Sequence, residues 1–121
     1  MHLSGSLLVG EIVSVSFDPA RGSEAAKTRP AVVVSNDAAN ATATRLGRGV
    51  ITVVPVTSNT RRIYPFQVFL SAQQTGLRRD SKAQAEQIRS VAVERVGERL
   101  GQLPAALIAE LDSALRTHLN L

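Results

Sequence analysis

Arg29 stands directly before Pro30, and a proline steers the residue preceding it away from helix toward extended backbone. An arginine so restricted can be aimed from the mouth of a strand, and its planar fork suits phosphate bidentately. Thr57, Ser58 and Asn59 close the apolar run Val50–Val56, Glu24 lies just ahead of Arg29, and Glu86-Gln87 sits among cations. Each of these residues has two readings. Arg29 can take a phosphate or close a surface ion pair with Glu24. Thr57 can position a ligand oxygen or satisfy a turn, and Glu86 can accept a proton or neutralise Arg89. Spacing alone favours the second, structural reading in each pair.

Other chemistry is poorly supplied. With no cysteine, a thiolate nucleophile, a disulfide framework and the usual structural zinc sites are excluded. The two histidines are His2, near the terminus, and His118, at the end of a helical pattern, where a surface role complementing the helix dipole is the ordinary one. Histidine-pair nucleases and serine-histidine hydrolases therefore lack their parts. No glycine-rich phosphate loop or dinucleotide fingerprint occurs. Glu94 and Glu98, four apart, are expected to share a helical, solvated face, with too few oxygen ligands nearby for a metal.

The chain has 121 residues, 14 Lys+Arg against 10 Asp+Glu, and a formal net charge of +4. Twelve of the cations are arginine, Lys27 and Lys82 being the exceptions. The excess is concentrated in residues 61–89, where Arg61, Arg62, Arg78, Arg79, Lys82 and Arg89 face only Asp80 and Glu86. A polyanion meeting this segment is one explanation and a solvated arginine-rich surface is the other. No apolar run approaches the roughly 20 residues that span a bilayer, and Met1–Gly10 lacks the layout of a secretory signal. A soluble intracellular protein of one domain, residues 1–121, is expected.

These residues must be held by something. The alternation of Val13, Val15 and Phe17 with Ser14 and Ser16 predicts a half-buried strand within Leu8–Phe17. Residues 18–28 predict a loop. Ala31–Ser35 and Val50–Thr57 predict strands covered on both faces, with Pro55 at an edge or bulge. Between them Asn36 and Asp37 are expected to cap a helical turn through Ala43, followed by a turn at residues 46–49. Phe66–Leu70 predicts a strand between polar connections at 58–65 and 71–82, with Phe66 and Phe69 in the core and Tyr64 the one stacking platform. Ala83–Val93 and Arg99–Leu103 predict two more strands. Pro104, at a first helical position, starts a helix to Leu119 whose stripe is Leu107, Ile108, Leu111, Leu115 and Leu119. The fold class is α+β, a small twisted antiparallel sheet or partly open barrel with a C-terminal helix.

Four blocks in order carry a resemblance. Gly10-Glu11-Ile12, Phe17-Asp18-Pro19, Gly22-Ser23-Glu24 and Lys27-Thr28-Arg29-Pro30 through Ser35 resemble the N-terminal half of the MazF/PemK (Kid) toxins of type II toxin–antitoxin systems. Val54-Pro55-Val56-Thr57-Ser58-Asn59, Tyr64-Pro65-Phe66-Gln67-Val68 and Ala85-Glu86-Gln87-Ile88-Arg89-Ser90-Val91 are similar to that family's later blocks. Nearly the whole chain is covered, and the mycobacterial members are the more similar ones.

The resemblance implies an SH3-like or CcdB-type barrel, a homodimer, a cytoplasmic location with no membrane association, and a cognate MazE-like antitoxin. It implies a sequence-specific endoribonuclease, needing no metal or cofactor, that cuts single-stranded RNA to a 2′,3′-cyclic phosphate and a 5′-hydroxyl. Catalysis falls to Arg29 and Thr57, with Glu24 or Glu86 as the carboxylate. In Kid an arginine stands two places before the acidic residue. Here that position is Gln84, so the Kid pair is not reproduced. RNA binding is expected of Arg61, Arg62, Tyr64, Arg78, Arg79 and Lys82 lining one groove, with Ser58, Asn59 and Gln87. A non-enzymatic, gyrase-binding toxin on the same fold is the alternative.

Overall fold

The structure is a computed structural model in which residues 5–17 and 28–121 are described. Seven strands form an antiparallel sheet: β1 (Glu11–Ser16), β2 (Thr28–Val33), β3 (Val50–Thr57), β4 (Gln67–Leu70), β5 (Ser81–Gln84), β6 (Arg89–Ala92) and β7 (Val96–Gln102). The strand order is β4-β5-β3-β2-β1-β7, and β6 also pairs with β3. Three helices accompany the sheet: α1 (Asp37–Leu46), α2 (Ala72–Thr75) and α3 (Ala105–Leu119).

The central strands read as unbroken β-branched runs because both their faces are buried. On one face Val13, Val15, Phe17, Ala31, Val33 and Val53 pack with Leu7, Ala43 of α1 and Val91. On the other, Ile12, Val32, Val54 and Val56 pack with Val68, Leu70 and the α3 residues Leu107, Leu111 and Ala114. The α3 stripe is as expected through Leu111, with Ile108 and Leu115 half-buried, but Leu119 is exposed. Pro104 sits at the cap of α3, one place before the helix begins.

The strand β3 organises the sheet. Its first half pairs with β6, Val50–Val53 facing Ala92–Arg89, and its last two residues pair with β5, Val56 facing Ala83 and Thr57 facing Lys82. Two short strands share one long partner, so the chain between them must step from one half to the other. The expected continuous strand over Ala83–Val93 is therefore broken by a 3-10 turn at Ala85–Gln87, and a second turn follows at Val93–Arg95. Glu86 and Gln87 thus lie on a turn. Glu94 lies on the second turn and Glu98 on β7, both exposed, so they share no helical face. Pro55 is buried in this central strand, away from any edge. It pairs with Ala31 and stands at the handover from β6 to β5, where β3 has no ladder partner to receive an N–H.

Two helices exceed or correct the expectation. α1 runs to Leu46, capped by the Asn36 side chain, which accepts from Ala39 N at 2.8 Å, and ended by Gly47 at φ 67°. The connection after Ser71 contains α2, whose Ser71 hydroxyl accepts from Gln74 N at 3.2 Å and whose first amide, Ala72 N, donates to Asp80 Oδ1 at 2.9 Å. Phe69 is 44% exposed and so lies outside the core.

Candidate active site

Hydrogen-bonded pairing of β2 with β3 runs from Val33–Val53 to Ala31–Pro55 and stops there. The next residue, Pro30, has no N–H to donate. The same register continued by two residues sets Arg29 across from Thr57. Side chains along a strand alternate in direction, so both belong to the face that carries Ala31, Val33 and Val53. Thr57 pairs in turn with Lys82, and Lys82 with Phe69. One row across four strands therefore reads Arg29, Thr57, Lys82, Phe69. Two residues along the strands on the same face, Gln84 pairs with Gln67.

The polar loop 58–66 lies over this row and is tied to it by side chains from the sheet. Lys82 is only 8% exposed, and its Nζ donates to the Arg62 carbonyl at 2.7 Å. Gln67 Oε1 accepts from Tyr64 N at 3.1 Å, while Gln67 N donates to Tyr64 O at 2.8 Å. Asn59 N donates to Thr57 Oγ1 at 3.2 Å and Arg61 N to Asn59 Oδ1 at 3.3 Å. The Thr57 hydroxyl therefore satisfies a turn with a lone pair, and its own proton has no acceptor among the described residues. Tyr64 is stacked on Phe66 (centroids 5.4 Å apart, planes 3° from parallel), with the Arg62 guanidinium 4.8 Å and the Lys82 ammonium 5.9 Å from its centroid.

Glu86 joins the same face through Gln67, whose Nε2 donates to Glu86 Oε2 at 2.8 Å. Its Oε1 is buried with no hydrogen-bond partner among the described residues. The described residues contain no Glu86–Arg89 ion pair; Arg89 instead lies over the Phe17 ring at 5.0 Å. Glu24, and with it the expected Glu24–Arg29 pair, lies outside the described residues.

The cations expected to line one groove separate. Arg61, Arg62 and Lys82 lie at the Thr57 face. Arg78 and Arg79 line a cavity of about 420 Å³ on the other face, with Pro30, Val56 and Ser58. Lys82 is a buried tie for the loop rather than a free surface charge. Asn59 and Gln87 are exposed. Neither Arg29 nor Thr57 lines this cavity, although Pro30 and Val56 are their chain neighbours. Gln67 escaped the sequence reading; a glutamine at the head of an otherwise apolar strand is the signal that marks it.

Residues 8–119 match the family described as PemK-like, MazF-like toxin of type II toxin-antitoxin system. The chain belongs to this family. Among MazF relatives it is 69% identical to "Endoribonuclease MazF9" of Mycobacterium tuberculosis over 112 residues, 93% of this chain and 95% of the relative. It is 40% identical to "Endoribonuclease toxin MazF" of Escherichia coli K12 over 84 residues, 69% of this chain and 67% of the relative. The fold is similar to that in a MazE–MazF crystal structure from Deinococcus radiodurans (TM-score 0.71, 28% identity), covering 98% of this chain and 99% of that one. The α+β sheet with its C-terminal helix is thus the MazF fold, and the cross-strand row lies on a MazF scaffold.

Proposed function

We propose that this chain is an endoribonuclease toxin that cuts single-stranded RNA at the Arg29–Thr57 row and is neutralised by a MazE-like antitoxin. The carrying observation is the β2–β3 register, whose ladder ends at Ala31–Pro55; extended by two residues, it supports a guanidinium and a hydroxyl opposite each other on one face. The RNA supplies its own nucleophile. Its 2′-oxygen attacks the adjacent phosphorus, the P–O5′ bond breaks with its electron pair left on O5′, which takes a proton from water, and a 2′,3′-cyclic phosphate and a 5′-hydroxyl result. The protein must hold the attack in line and stabilise charge on the phosphoryl oxygens. Arg29 does the second with bidentate donors, and the free proton of Thr57 bonds another phosphoryl oxygen. The 2′-hydroxyl proton goes to a carboxylate, Glu86 or Glu24; Glu86 is held toward the Thr57 face by Gln67 Nε2, which donates to its Oε2.

Base edges meet the 58–66 loop, and Arg61 and Arg62 hold the phosphates beyond. The toxin acts in the cytoplasm as a homodimer; the structure contains no helix long and apolar enough to cross a membrane among the described residues. The names of the relatives favour the nuclease over the gyrase-binding reading. Incubating the purified protein with a long RNA in excess chelator tests the choice. Cleavage is expected to persist, and to fall about 10²–10³-fold in Arg29→Ala, the cost of one charge-stabilising donor, with an unchanged circular dichroism spectrum. Intact RNA together with inhibited gyrase would refute the proposal.

A further inference from the structure

The cavity on the reverse face of the sheet has no part in the chemistry above. At about 420 Å³ it is of the size that small ligands fill. Its walls are apolar where Pro30, Val56, Leu77 and Leu100 meet, and Arg78 and Arg79 stand at its rim. Both of these arginines are exposed, and neither guanidinium has an acceptor among the described residues. A third arginine, Arg99, is already engaged: its Nε donates to Glu11 Oε2 at 2.5 Å and its Nη2 to Ser6 O at 3.0 Å. An apolar slot beside two unsatisfied planar cations fits a planar, anionic ligand.

We propose that this cavity is a nucleotide subsite, in which a base lies between Val56, Leu77 and Leu100 while its phosphate is held by Arg78 and Arg79. The proposal rests on the ribonuclease reading and names where the nucleotide next to the scissile phosphate goes. Position favours a nucleotide over an acidic peptide. Pro30 adjoins Arg29, and Val56 and Ser58 flank Thr57, so the cavity lies behind the same two strands that carry the row. The β2–β3 ladder ends at Ala31–Pro55 while β2 stays paired with β1 and β3 with β5, so it is open beside Arg29 and Thr57, where the row and the cavity adjoin. The Ser81 hydroxyl donates to Arg79 O at 3.0 Å, leaving its lone pairs for donors on a base edge.

The test uses the full chain and a short single-stranded oligoribonucleotide of mixed sequence, 2′-O-methylated throughout so that it cannot be cleaved. Binding is followed by methyl NMR and by fluorescence anisotropy across a salt series. The Val56, Leu77 and Leu100 methyls are expected to shift. Arg78→Ala/Arg79→Ala, altering only exposed side chains, is expected to weaken binding about tenfold or more and lower the salt slope by about 0.7, the one single-strand phosphate the pair holds. Unshifted cavity methyls, or an unchanged slope in the double variant, would overturn the subsite. So would an acidic, leucine-containing peptide that moves these methyls when the oligonucleotide does not. Because the probe is uncleavable, the two readings fail separately. Cleavage of ordinary RNA with still methyls sinks the subsite alone, while shifted methyls with no cleavage sink the nuclease reading and leave a nucleotide-binding cavity.

Discussion

Replacing Lys82 by methionine separates the two tasks of one buried side chain. Methionine keeps most of the aliphatic stem and its burial but removes the ammonium that donates to the Arg62 carbonyl at 2.7 Å and lies 5.9 Å from the Tyr64 centroid. A hydrogen bond from a charged donor contributes about 1.5–3 kcal/mol. Returning a charge from an 8%-exposed site to no charge at all recovers part of that through lost desolvation. The global stability is therefore expected to fall by only about 1 kcal/mol, a Tm shift of about 4 °C. The loop feels the full loss, because among the described residues nothing else from the sheet is hydrogen-bonded to residue 62. Amides of residues 59–62 should exchange about 10- to 100-fold faster, the free-energy range above expressed as an opening constant. Residues 64–67 should hold, since the Tyr64–Gln67 bonds remain. RNA cleavage should drop at least tenfold, as Asn59 and the Thr57 hydroxyl it donates to lose their fixed relation. Hydrogen exchange by mass spectrometry and a fluorogenic RNA assay read both effects. Lys82→Arg should not restore cleavage, because a planar fork does not reproduce the compact ammonium that donates to the Arg62 carbonyl. Unchanged exchange at 59–62 together with a stability loss above about 3 kcal/mol would refute the reasoning and make Lys82 a core residue.

Two further substitutions test the frame. A Cβ at Gly101 would stand 2.2 Å from the Thr75 carbonyl oxygen, a backbone atom fixed by the Thr75 N to Ser71 O bond of 3.2 Å; Gly101→Ala is expected to cost about 1–3 kcal/mol by denaturant unfolding. Arg99→Ala strands the carboxylate of Glu11, which is 7% exposed and keeps only Leu8 N as a donor at 2.7 Å; a loss of about 3–5 kcal/mol is expected. The double variant Glu11→Met/Arg99→Met should recover most of it, and a double-mutant cycle measures how much.

Local rules legible in the sequence decided the strands and the last helix. The alternation Val13–Val15–Phe17, the β-branched runs at Ala31–Val33 and Val50–Val56, and the leucine stripe after Pro104 are patterns whose period is set by backbone geometry. The same patterns put Arg29 and Thr57 at strand mouths, and the ordered blocks around them pointed to the toxin family. Tertiary structure decided what each neighbourhood became. The break at Ala85–Gln87 exists because β5 and β6 share β3, a relation between distant segments that no window of sequence contains. It moved Glu86 from a strand to a turn and aimed it at Gln67. It also left Pro55 harmless in the middle of a sheet. The positive segment reads as one patch along the chain, but alternation and the turn of the chain after Thr57 divided it, with Arg61 and Arg62 above one face and Arg78 and Arg79 behind the other. Charge is a property of composition, whereas the face on which a charge stands is fixed only when strands from far apart in the chain are paired in register.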